Sequence, residues 1–234
     1  MAGLIAAALA GLLALAPAWQ PASVTGRVKF GDAPRPAQPN RMMVQAALAI
    51  TESLGEVEEA IVADDGSFAF EALSGPRIIR VAGQGPDDGQ WWFESVLWNG
   101  RDVTNEPVDF TRETRGELAI VMSQRPTAIV GSVEDVAGIP MTGACVVMLP
   151  ENEDLQRGWS TAVGTTTADR RGRFYFTGMP PGDYRVDGLG RACPDRLALV
   201  DDPGAFMRRG TAVSVGAGKV ARIVVTGETL AARQ

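Results

Sequence analysis

Three short segments of this chain occur twice, in the same order. SVTGRV at 23–28 is matched by AIVGSV at 128–133, DDGSFAFEAL at 64–73 by DRRGRFYFTGM at 169–179, and GELAIVMS at 116–123 by GKVARIVVTG at 218–227. The offset is about a hundred residues, the usual size of one small domain. Two copies of a single module are therefore expected, over 23–124 and 125–229.

Within each copy the side chains alternate as they do in strands. Phe174 and Phe176 stand two residues apart and so share one face, with Tyr175 on the other; Phe68 and Phe70 repeat the spacing. Pro180-Pro181-Gly182 reads as a rigid turn, and Tyr184 and Val186 as the returning strand's share of the same core, with the Tyr184 hydroxyl capping a backbone group. RMMVQAALAI at 41–50 has some helical character, yet it holds the place of ACVVML in the other copy and is read as a strand. The chain's 27 Gly and 15 Pro favour short strands joined by turns. The expected fold is all-β: two tandem antiparallel β-sandwiches following an N-terminal leader.

That leader is the uncharged, apolar run MAGLIAAALAGLLALAPA at 1–18, in which Ala16 and Ala18 supply the small residues a signal peptidase reads and Trp19 opens the mature chain. No Lys or Arg precedes the apolar run. A short membrane anchor or a misplaced start codon are the alternatives, although a membrane span normally needs roughly 17–25 apolar residues. No later segment could cross a bilayer, so no transmembrane span is expected after cleavage. In an exported chain Cys145 and Cys193 permit a disulfide, while Cys145 within ACVVML could equally be a small buried residue.

The second copy resembles the carboxypeptidase regulatory-like domain, a small transthyretin-like (prealbumin-like), Ig-like β-sandwich. IVGSVEDVAGIPMTGACVVML is similar to that family's G-x-V-x-D-x-x-G-x-P-x-x-G-x-x-V opening, and DRRGRFYFTGMPPGDYRV to its D-x-x-G-x-F-x-F-x-x-L-P-P-G-x-Y-x-V signature, with Met179 in place of Leu. The first copy is degenerate: Ser74-Gly75-Pro76-Arg77 replaces the Pro-Pro-Gly turn and Ile78 the tyrosine. SVLWNGRDVTNEPVDF at 95–110 is similar to segments found between such modules in large exported bacterial proteins. The resemblance implies a fold and no activity, since this domain accompanies zinc carboxypeptidases without carrying their chemistry.

Composition narrows the function further. The chain has no histidine, which excludes His-dependent triads and, with only two cysteines, the usual zinc sites; no cofactor is expected. A net charge of −6, with Lys29 and Lys219 the only lysines, argues against nucleic acid. Asp64-Asp65, Asp87-Asp88 and Asp201-Asp202 adjoin Gly or Pro and read as turn caps; no EF-hand spacing is present and no metal site is assigned. GAGKV at 216–220 reads as a turn and not a phosphate loop. The ligand-binding candidates are Trp91, Trp92 and Trp98, with Trp159 in a polar loop as an expected exposed aromatic. Core or inter-module packing is the competing role for the first three.

The expected protein is a non-catalytic binding or scaffolding component of the cell envelope, periplasmic, outer-membrane-associated or secreted. Its partner would be a polysaccharide or an envelope protein. The alternatives are a carbohydrate-binding module using exposed tryptophans and, more remotely, a hydrolase using carboxylates alone.

Overall fold

A computed structural model describes residues 21–31, 42–50, 53–83, 91–113, 115–190 and 193–227. The leader at 1–18 and the Asp87-Asp88 pair lie outside them. The first half opens with β1 (Ala22–Lys29), whose residues alternate strictly between buried and exposed. It continues through β2 (Met42–Ile50), β3 (Ser53–Ile61), β4 (Ser67–Leu73), β5 (Pro76–Gly83), β6 (Trp92–Trp98), β7 (Arg101–Asp102), β8 (Val108–Asp109) and β9 (Glu117–Ser123). These strands form two sheets, ordered β4-β1-β9-β6-β7 and β3-β2-β5-β8. Val24, Val44, Phe70, Leu73, Ile79 and Ile120 belong to the single core between them.

The second half comprises β10 (Ala128–Glu134), β11 (Cys145–Pro150), β12 (Gly164–Thr167), β13 (Arg173–Thr177), β14 (Gly182–Leu189), β15 (Thr211–Val215) and β16 (Val220–Thr226). Its sheets are ordered β13-β10-β16 and β12-β11-β14-β15. Apart from β6 and β7, which have no described counterpart, the order of strands in these sheets corresponds to that of the first half. β10 lies antiparallel to β13 and parallel to β16, as β1 lies antiparallel to β4 and parallel to β9. The sandwiches are thus antiparallel except at this one pair in each half.

Glycine fixes the centre of both pairs. A Cβ on Gly26 would lie 2.2 Å from Cζ of Phe68, and one on Gly131 would lie 2.8 Å from Cζ of Phe174 and 2.3 Å from the Ile223 carbonyl oxygen. Each ring occupies the space that any other residue on the neighbouring strand would fill. The turn leading into the phenylalanine strand also recurs: Val28 N–H donates to Gly66 O at 2.8 Å, and Val133 N–H to Gly172 O at 2.8 Å. Both turn glycines have positive φ, 81° and 71°.

The returning strand of the second half is tied to its turn by Tyr184, whose hydroxyl donates to Pro180 O at 2.5 Å. Burial of that hydroxyl raises its pKa. β11 is buried on both faces, which accounts for its continuous apolar sequence. Val146 and Met148 enter the sandwich core, while Cys145, Val147 and Leu149 meet Leu199, Phe206 and Met207 on the other side. The covering side chains come from two six-residue helices, α1 (Arg196–Asp201) and α2 (Gly204–Arg209). Cys145 and Cys193 are joined by a disulfide across 48 residues of sequence. A crosslink over a loop of that length stabilises by about 4 kcal/mol in the chain-entropy model.

Two outcomes follow from these contacts. Gly131→Ala is expected to destabilise by about 1–3 kcal/mol in urea unfolding, because the methyl group would overlap backbone as well as the Phe174 ring. The second concerns Asp169, whose pKa is lowered to about 2, first by the Arg173 backbone N–H, then by the Arg173 side chain and the Arg171 N–H. A carboxylate with a depressed folded-state pKa contributes stability above its unfolded pKa and loses it as pH falls. Between about pH 4 and pH 2 the urea midpoint of the wild type should fall more steeply than that of Asp169→Asn.

Candidate functional site

β6 and the residue before it carry three of the tryptophans, and a register shift between Phe93 and Ser95 breaks the strand's alternation, so that Trp91 and Trp98 share the core while Trp92 does not. Trp91 is buried and meets Phe30 edge to face, centroids 5.0 Å apart. Trp98 is also buried, packs edge to face on Phe110 at 5.3 Å, and donates its indole N–H to Glu113. A Cβ on Gly116 would lie 2.4 Å from the Trp98 ring, so this glycine is what lets the indole lie on β9. Only Trp92 stays partly open.

Trp159, the expected exposed aromatic, is buried, and its indole N–H has no hydrogen-bond partner among the described residues. The reason is tertiary. Its loop lies at the junction of the halves and is held from both sides. From the first half, Arg80 donates to the carbonyls of Thr104, at 2.7 Å, and Trp159. Asn105 Oδ1 accepts the N–H of Thr161 at 2.8 Å. From the second half, Arg196 donates to Ser160 O at 3.1 Å and to Val163 O. The guanidinium groups of Arg80 and Arg196 therefore meet carbonyls here. Burial, and next the Arg196 charge, lower the pKa of Arg80; burial lowers that of Arg196.

The four tryptophans consequently form no shared exposed face of the kind that stacks on a pyranose. What the structure brings together instead is Trp92, Phe93 and the Pro180-Pro181 turn, which line a cleft of about 580 Å³ at the junction. Glu94, Asp102, Glu106 and Asp154 contribute carboxylates to its lining and Arg125 the one guanidinium. Asp102 Oδ1 is committed within its own turn, accepting Thr104 N–H at 2.9 Å and the Thr104 hydroxyl at 2.6 Å. With no histidine in the chain, Ser95 and Ser123 at the cleft wall have no triad histidine. No group of three or more His, Cys, Asp or Glu that could hold a metal occurs among the described residues. No helix among them is long and apolar enough to cross a membrane.

Sequence reasoning missed Arg80, Asn105 and Arg196, because their partners here are backbone groups, carbonyls for the arginines and the Thr161 N–H for Asn105, which no residue type in the sequence marks. It also separated the Pro-Pro-Gly turn from the tryptophans, whereas Pro180, Pro181 and Trp92 line one cleft. Arg80→Ala should cost about 2 kcal/mol, the usual worth of hydrogen bonds from a charged donor. It should also make the 156–163 loop susceptible to limited proteolysis, which mass spectrometry of the fragments would locate.

No family model and no curated protein matches the chain. Among solved structures, the shaft pilin spaA of Lactobacillus rhamnosus GG is 10% identical, with 89% of this chain and 98% of that chain covered and a TM-score of 0.33. The major pilin subunit of Bacillus cereus is 10% identical, with 88% and 99% covered and a TM-score of 0.31. The Bacillus anthracis TIE protein is 12% identical at a TM-score of 0.30; 89% of this chain is covered, but it spans only 34% of that one. At these scores the likenesses identify no family and assign no function.

Proposed function

We propose that the chain is an exported, non-catalytic binding or scaffolding protein of the cell envelope, built from two copies of one carboxypeptidase-regulatory-like module, the first degenerate. The observation that carries this reading is the matched pair of sandwiches. β1 and β10 each pair antiparallel with a phenylalanine strand and parallel with the closing strand, over the same glycine–phenylalanine contact. The two sandwiches take up the described strands from β1 to β16. The disulfide agrees with an oxidising compartment. The junction cleft beside Trp92 is the place where this reading puts a bound partner.

Cell fractionation followed by mass spectrometry of the native protein's N-terminus tests the proposal. A mature chain beginning at Trp19, recovered outside the cytoplasm with Cys145 and Cys193 oxidised, is expected. A cytoplasmic chain retaining Met1 and free thiols would overturn it.

A further inference from the structure

The two halves differ at one edge. In the first, β9 is covered by β6, and Ala119, paired with Leu97, is 4% exposed. In the second, β16 pairs only with β10, and no described strand takes the place of β6. Aligning the halves on Gly26 and Gly131 sets Ala119 against Val224. Val224 is 58% exposed, and Val220 is exposed with it. Of the other edge strands, β3, which pairs only with β2, carries the most exposed aliphatics, Leu54, Val57 and Ile61. Of the ten large apolar side chains left exposed among the described residues, six lie on these two edges or beside them: Ile50, Leu54, Val57, Ile61, Val220 and Val224. Open edges carrying exposed aliphatics invite pairing with another chain.

Their charges are opposite. On the outward face of β3, Val57, Glu59 and Ile61 follow one another at two-residue spacing, while Ala60 turns into the core. On the outward face of β16 the sequence is Val220, Arg222, Val224, with Val225 turned inward. We propose that copies of this chain associate head to tail, the β3 edge of one copy pairing with the β16 edge of the next. In either strand direction Glu59 can stand opposite Arg222 with an aliphatic pair on each side. Pairing of β3 with itself would oppose glutamates, and β16 with itself offers no carboxylate, so the complementary edges select each other. Because the two edges differ, every copy added leaves one of each free, and growth continues unless the rotation closes a ring.

Sedimentation velocity of the whole mature chain tests this. The wild type should form species larger than a dimer, growing with concentration and shrinking with salt. Glu59→Arg alone, or Arg222→Glu alone, should weaken association about tenfold, while an equimolar mixture of the two restores it, since each β3 again meets an opposite charge. Val224→Lys should weaken it as well, and circular dichroism of each variant should match the wild type. A wild type that stays monomeric at every concentration reached would overturn the proposal. So would loss on Arg222→Glu without loss on Glu59→Arg, which is the signature of β16 pairing with itself or with another occupant, or a mixture that fails to recover.

Discussion

Both sandwiches depend on a phenylalanine ring lying over a glycine of the adjoining strand. β1 and β10 are each flanked by two strands, one antiparallel and one parallel. A side chain at Gly26 or Gly131 would push the ring away and separate the strand from its neighbour. With the ring in place, the second phenylalanine of each pair follows into the core at the two-residue spacing: Phe68 and Phe70 meet at 6.1 Å and Phe174 and Phe176 at 5.9 Å. The turn before the phenylalanine strand is then set by the hydrogen bonds from Val28 and Val133 to the turn glycines. Sheet order, core and turn thus follow from one close approach between a ring and a backbone.

The elements governed by local rules could be read from the amino acids. Alternation gave β4 and β13 their faces, and Gly and Pro marked the turns. The alanine-rich segment at 42–50 became a strand because β3 and β5 pair with it on both sides, and its place in the repeat had indicated as much. The helices α1 and α2 were not legible: at six residues each they are too short for a periodicity of 3.6 to stand out, and they form against the outer face of β11. The tryptophans were ambiguous for a different reason. An aromatic serves a core and an exposed ligand face equally well, and only tertiary contacts separate Trp91 and Trp98 from Trp92.

At the junction, guanidinium groups from both sandwiches meet backbone carbonyls of one loop. Arg80 and Arg196 bind the carbonyls of one loop, so they satisfy backbone groups that its burial would otherwise leave without donors. Desolvation lowers the pKa of both guanidinium groups, and the Arg196 charge lowers that of Arg80 further. The same clasp buries Trp159 and leaves the neighbouring cleft open, with Trp92 on one wall and the Pro180-Pro181 turn on another.

The disulfide also has a mechanical meaning. It joins the start of β11 to the segment before α1, so the rest of β11 and all of β12, β13 and β14 lie inside a covalent loop. Tension entering through the first half and leaving through β16 would pass across the sulfur bridge and bypass those strands. The 47 intervening residues, which would otherwise add about 160 Å of extensible length, remain unstretched even if the sandwich opens. Under load the second half can lengthen only through its flanks, β10 and the helical and strand segments after Cys193.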